Sequence, residues 1–145
     1  MRELALVLAI CSISSQAFAD VYGNNLQRQK PAEYQNYVNS VQRSVPKSAR
    51  NQEWISKLSG VAGPLQRSKI NGKPVLTGWV CKPHECDTNK VYLIVDQGRT
   101  AALIETSEID MKTDTYDTQY YYVGQMSYEE RRCLNYMQTN MEETC

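Results

Sequence analysis

Leu65-Gln66-Arg67-Ser68-Lys69-Ile70 and Val75-Leu76-Thr77-Gly78-Trp79-Val80 flank Asn71-Gly72-Lys73-Pro74. Asn-Gly between two such runs is a strong two-residue hairpin signal, because the favoured turn needs positive φ at both central residues. The stretch therefore predicts two antiparallel strands, Leu65–Ile70 and Val75–Val80, with Trp79 as a large apolar anchor. Pro74 lacks an N–H and predicts either an edge position or the beginning of a strand.

Working outward, Lys90 to Asp96 contains the run Val-Tyr-Leu-Ile-Val, Gln97-Gly98 reads as a turn, and Arg99 to Thr106 as the next strand. Gln119 to Val123 predicts a further strand that carries Tyr120, Tyr121 and Tyr122. Upstream, Asp20 to Gln29 is polar and reads as an extended lead-in. Pro31 suits a first helical turn. Tyr34, Tyr37, Val38 and Val41 follow at i, i+3, i+4 and i+7, the spacing of one helix face. Pro46 ends that helix. A second, shorter helix carries Trp54, Ile55 and Leu58, with Gly60 as its stop and Gly63-Pro64 as a loop. Downstream, Ser127 and Glu130 form a capping box that opens a last helix with Cys133, Leu134 and Met137. Strands in the middle joined by tight turns, with helices at both ends, predict an α+β fold around a central antiparallel sheet.

The N-terminus sets the expected compartment. Arg2 precedes an apolar run, Leu4 to Ile13, and Ala17-Phe18-Ala19 is a small-x-small cleavage signal. Residues 1–19 are thus expected to be a signal peptide and residues 20–145 a single domain in the periplasm. The run is too short to span a bilayer, which takes about 20 residues. A lipoprotein reading on Cys11 is disfavoured by the bulky Ile10 before it. With Cys11 removed, Cys81, Cys86, Cys133 and Cys145 remain, and four cysteines allow three connectivities. Closeness in sequence favours Cys81–Cys86 and Cys133–Cys145, and export favours their oxidation. The net charge is zero, which argues against a nucleic-acid binder. The charge is unevenly spread all the same. Arg28 to Lys73 holds nine basic and two acidic residues, while Glu85 to Asp117 holds eight acidic and three basic.

The chemistry concentrates in Cys81-Lys82-Pro83-His84-Glu85-Cys86, between two predicted strands. A disulfide here closes so small a ring that its entropic contribution is only about 2 kcal/mol. Fixing the shape of an exposed loop is the better reason for it. Pro83 fixes its own φ and restricts Lys82. Together they hold His84, the one histidine of the chain. Both ring nitrogens of a protonated imidazole donate, in different directions. Such a side chain bridges two carboxylates, and close carboxylates favour its charged form. A glycosidase site with paired acids offers that geometry.

Gly78-Trp79-Val80-Cys81-Lys82-Pro83-His84-Glu85-Cys86 resembles the signature of the Ivy family, periplasmic inhibitors of vertebrate-type (C-type) lysozyme. All six positions of the C-K-P-H-[DE]-C motif are present. The likeness extends more loosely to the signal peptide, to the helical N-terminal half with Trp54 and the following Gly-Pro, and to the strands after the loop. Beyond about Glu105, including Cys133 and Cys145, it fades. The resemblance implies a competitive protein inhibitor whose loop enters the lysozyme cleft. His84 would be the tip and hydrogen-bond the catalytic carboxylates, Cys81–Cys86 the clamp, and Lys82 and Glu85 contacts to the cleft walls. It also implies bacterial lytic transglycosylases as a second class of partner. A homodimer is left open.

Other chemistries are weaker. Cys81, His84 and Cys86 make three plausible zinc ligands, but oxidised cysteines do not ligate, and the spacing matches no standard zinc pattern. No metal or other cofactor is therefore expected. Cys-x4-Cys is not the Cys-x-x-Cys of redox enzymes. No Gly-x-Ser-x-Gly element accompanies the histidine, and the carboxylates Glu105, Glu108, Asp110, Asp114 and Asp117 read as a solvated acidic segment. The chain is thus read as a binding protein without catalytic residues. The bland alternative for His84 is an exposed side chain with no role. Tyr120, Tyr121 and Tyr122 are expected to be strand and core residues rather than a sugar platform, and Trp54 and Trp79 core.

Overall fold

A computed structural model of the chain describes residues 19–145. The expected signal peptide therefore lies outside the described residues, apart from Ala19. Among those described, a 3-10 turn at Gly23–Asn25 is followed by α1 (Leu26–Gln29), α2 (Pro31–Ser44), α3 (Lys47–Arg50) and α4 (Glu53–Ser56). Six strands come next: β1 (Val61–Ala62), β2 (Gln66–Ile70), β3 (Lys73–Cys81), β4 (Lys90–Asp96), β5 (Arg99–Asp110) and β6 (Thr115–Val123). The last element is α5 (Tyr128–Asn140). The strands form one antiparallel sheet in the order β1-β3-β4-β5-β6, with β2 also on β3. This is the α+β architecture with helices at both ends that the strand and helix patterns predict.

The Asn71-Gly72 hairpin forms with φ values of 53° and 77°, so both central residues are left-handed. β4 reads as an unbroken apolar run because both its faces are covered. Val91, Leu93 and Val95 pack with Tyr37, Val41 and Ile55 from the N-terminal helices. Tyr92 and Ile94 pack with Leu134 and Met137 of α5 on the opposite face. Tyr37, fully buried, donates its hydroxyl to the Ile55 carbonyl at 2.6 Å and ties α2 to α4.

Several expectations change in the tertiary structure. The stretch Asp20 to Gln29 is not an extended lead-in. It coils into the 3-10 turn and α1, and a single apolar side chain, Leu26, is buried completely and pins the segment to the core. α3 and the short strand β1 were not expected. Pro74 takes the strand-beginning option. It stands opposite Lys69, ahead of the first β3–β4 pair at Leu76, and β3 is an interior strand. Gly60 is not the left-handed stop after α4; that conformation falls on Leu58, at φ 53°. Gly60 is needed for a different reason: a Cβ there would lie 2.0 Å from the Cys81 carbonyl oxygen.

Trp54 is core, but Trp79 is only half-buried, and the Lys90 ammonium lies over its ring at 5.3 Å. Of the three tyrosines, all lie in β6 as expected. Tyr120 is exposed, while Tyr121 and Tyr122 are half-buried at the core margin.

α5 is locked to the sheet through one carboxylate. Glu130 accepts from the Ser127 backbone at 2.8 Å and the Ser127 hydroxyl accepts from the Glu130 backbone at 3.1 Å, which completes the capping box. Glu130 also accepts from both terminal nitrogens of Arg99, at 2.6 and 3.1 Å, at the start of β5. Chiefly through the Arg99 hydrogen bonds, its carboxyl is held below the usual range. A depressed carboxyl stabilises the fold above its unfolded pKa, about 4.3, and the contribution is lost as pH falls through the lower folded value. Glu130→Ala is expected to cost about 1–3 kcal/mol at neutral pH, by taking the two-point partner from Arg99, which keeps Asp96, and by removing one half of the capping box. The deficit should shrink in urea titrations run well below pH 4. An equal deficit at both pH values would contradict the assignment.

Candidate functional site

The loop between β3 and β4 is a tight turn on a rigid base. The Glu85 N–H donates to the Lys82 carbonyl at 3.1 Å, which closes a β-turn with Pro83 and His84 at its centre. His84 has φ 68°. Proline at the first central position and positive φ at the second are the signature of a type II turn. That second position normally takes glycine or asparagine, and a bulkier residue there costs about 1 kcal/mol or more. The chain accepts that cost to hold an exposed imidazole at the turn's apex.

Three devices brace the turn. Cys81 and Cys86 are joined, with their Cα atoms 4.9 Å apart. The Lys82 ammonium and Glu85 carboxylate pair at 2.8 Å across the turn. The third is Asn89, a residue the sequence reading passed over. Its side chain is almost fully buried. Its amide nitrogen donates to Glu85 Oε2 at 3.0 Å and to the Ser107 carbonyl at 3.2 Å, and its Oδ1 accepts from the Ser107 N–H at 2.9 Å. Its backbone closes the loop as well, donating to the Glu85 carbonyl and accepting from the Lys82 N–H, both at 3.0 Å. Asn89 thus ties the loop to β5, eighteen positions further along the chain. The sole hint in the sequence is an asparagine just ahead of a strand.

Lys82 and Glu85 are therefore bound to each other and, through Asn89, to the sheet, and they shape the turn from within. Beside the loop lies a cleft of about 590 Å³, walled by Lys82, His84 and Glu85 on one side and by Glu108, Ile109 and Tyr116 on the other. Among the described residues no cluster of histidine, cysteine and acidic side chains is arranged to hold a metal ion. The sulfurs of Cys81 and Cys86 are committed to each other. A second bridge, Cys133–Cys145, fastens the C-terminus to α5 with 5.2 Å between Cα atoms, far along the chain from the turn. No helix among the described residues is long and apolar enough to cross a membrane.

A family model described as "Inhibitor of vertebrate lysozyme (Ivy)" matches residues 43–127, more than half of the chain. The chain belongs to the Ivy family. The matched span encloses the braced turn, Asn89 and the whole of β4, β5 and β6. It runs past Glu105, where the resemblance read from the sequence faded, and it leaves out α5 and the Cys133–Cys145 bridge. A protein of Pseudomonas aeruginosa named "Inhibitor of vertebrate lysozyme" is 27% identical over 89 residues, which cover 57% of this chain and 58% of that relative. The chain thus spans less than two thirds of the length of the Ivy relative it matches.

Proposed function

We propose that this Ivy family member is an exported inhibitor of C-type lysozyme, which it blocks by seating the Cys81–Cys86 loop in the active-site cleft with His84 foremost. One observation carries the reading: the chain's one histidine stands exposed at the apex of a turn held in a left-handed conformation, braced by a disulfide, an ion pair and a buried asparagine. A loop already ordered before it binds loses little entropy on binding, and that favours affinity. Ion-pairing between Lys82 and Glu85 leaves the imidazole as the free polar group at the tip. Donating from both nitrogens, it suits a site with two carboxylates. Export is supported by the apolar run Leu4 to Ile13, by Ala17-Phe18-Ala19 and by the two disulfides.

The test is lysis of bacterial walls by a C-type lysozyme, followed by turbidity, with residues 20–145 added. Near-stoichiometric inhibition is expected. Replacing both Cys81 and Cys86 by serine should leave the protein folded, because the ring is small, while inhibition weakens several-fold or more. Undiminished lysis at an excess of the unaltered protein would overturn the proposal. Equal inhibition by the serine variant would remove the disulfide from the mechanism.

A further inference from the structure

The sheet places a second projection beside the loop. β4 begins at Lys90, opposite Glu105 of β5. β5 nevertheless runs on to Asp110, paired with β6 as far as Thr115. Past Ser107, which Asn89 holds, β5 and β6 continue as a two-stranded ribbon. It closes where the Thr113 and Asp114 N–H groups donate to the Asp110 carbonyl at 3.2 and 2.8 Å. Such a ribbon is marginal without further cover.

Its side chains do little to improve matters. Ile109 and Tyr116 stand directly opposite each other, 47% and 64% exposed, and Met111 in the turn is 84% exposed. The next pair, Glu108 with Asp117, sets two carboxylates face to face, an arrangement that weakens a strand pair. The compensation at Asp117 is neutral, a hydrogen bond accepted from Gln119 at 2.9 Å. Glu108, Asp110, Asp114 and Asp117 share the ribbon with one cation, Lys112. Opposed carboxylates are a cost to the strand pair, and the wet apolar side chains beside them leave a surface that a partner can cover.

That surface is continuous with the inhibitory loop, because Ile109, Tyr116 and Glu108 form the far wall of the cleft that His84 lines. We infer that the β5–β6 ribbon is a second arm of the interface, gripping a basic flank of the same lysozyme molecule, with apolar contact, beside the cleft that receives His84. The inference rests on the lysozyme reading above. The ribbon's charge sets the sign of the partner's surface, and its place beside the loop sets which enzyme it meets.

Two variants of residues 20–145 test it by association and dissociation rates with a C-type lysozyme. Ile109→Thr with Tyr116→Thr keeps residues that favour strands and removes the apolar grip. It should speed dissociation about tenfold and change association little. Glu108→Gln with Asp117→Asn removes the opposed charges. It should slow association about three- to tenfold at low ionic strength and flatten its salt dependence. The same variant should melt no lower than the unaltered protein, since it relieves a repulsion. Both variants should still inhibit fully at saturation, because His84 is untouched. Rates within twofold of the unaltered protein in both variants would overturn the second arm while leaving the loop mechanism standing. Failure of the unaltered protein to bind lysozyme at all would overturn both.

Discussion

His84→Ala is expected to raise the inhibition constant for C-type lysozyme by roughly 30- to 5,000-fold, with little change in the stability of the free protein. In the complex the imidazole would sit in a cleft that excludes water, donating to carboxylates. Hydrogen bonds to charged groups contribute about 1.5–3 kcal/mol each. Truncating one side of a buried charged pair costs about 2–5 kcal/mol, mainly through faster dissociation. The free protein should not notice the change, because the side chain is exposed and does not contribute to the core. The backbone at His84 supplies a sharper control. Its φ of 68° favours glycine. His84→Gly should therefore match or exceed the stability of the unaltered protein, by up to about 1 kcal/mol, while losing inhibition as His84→Ala does. Inhibition constants from wall-lysis assays and midpoints from urea denaturation check both halves. Lys82→Ala and Glu85→Ala should weaken inhibition less than His84→Ala. A larger loss in either would mean that the imidazole is not the tip of the plug.

Asn89→Ala should damage both stability and inhibition, although the side chain is buried and out of reach of a partner. The substitution strands the N–H and carbonyl of Ser107, and it removes a donor from the Glu85 carboxylate. Each buried polar group left unpaired costs about 1–3 kcal/mol. A loss of about 2–4 kcal/mol in urea denaturation is therefore expected. The loop would keep its disulfide, the Lys82–Glu85 pair and its backbone hydrogen bonds but lose its side-chain tie to β5, and inhibition should fall several-fold or more, because ordering the turn would be charged against binding. Faster amide exchange at Ser107 and Glu85 would report the loosening directly. Unchanged protection at Ser107 together with unchanged inhibition would show that the loop does not depend on this tie.

The features legible in the sequence are those settled within a few residues. Asn71-Gly72 needs only its own two left-handed positions to turn the chain. Ser127 and Glu130 satisfy each other across one helical turn. Cys81 and Cys86 are near enough to meet in few other ways, and Pro83 restricts its neighbours wherever it stands. The same holds for Tyr37 and Val41, whose spacing alone assigns them to one face of α2.

What escaped the sequence depends on distant partners. Leu26 lies in a polar stretch, and nothing local shows that one leucine will be buried completely and draw Gly23 to Gln29 into helical turns. Trp54 and Trp79 look alike as residues, yet the first falls between α4 and the sheet, and the second on a face that α5 only partly covers, with Lys90 laid over it. The acidic run from Ser107 to Asp117, beyond the expected strand Arg99 to Thr106, reads as a solvated segment, because its charges disfavour strands; in the fold its two halves pair in register and extend β5 and β6 into a ribbon.

The sequence by itself determined that this chain would build an antiparallel sheet between terminal helices and carry a braced histidine between two strands, since turns, caps and short rings obey local geometry. Only the tertiary structure decided that the histidine takes a left-handed position, that Asn89 anchors its loop to Ser107, and that an apolar and acidic ribbon stands across a cleft from it. Those relations depend on the register of β3, β4 and β5. Register is a property of paired strands, set by which side chains are buried together on each face, and no single segment contains it.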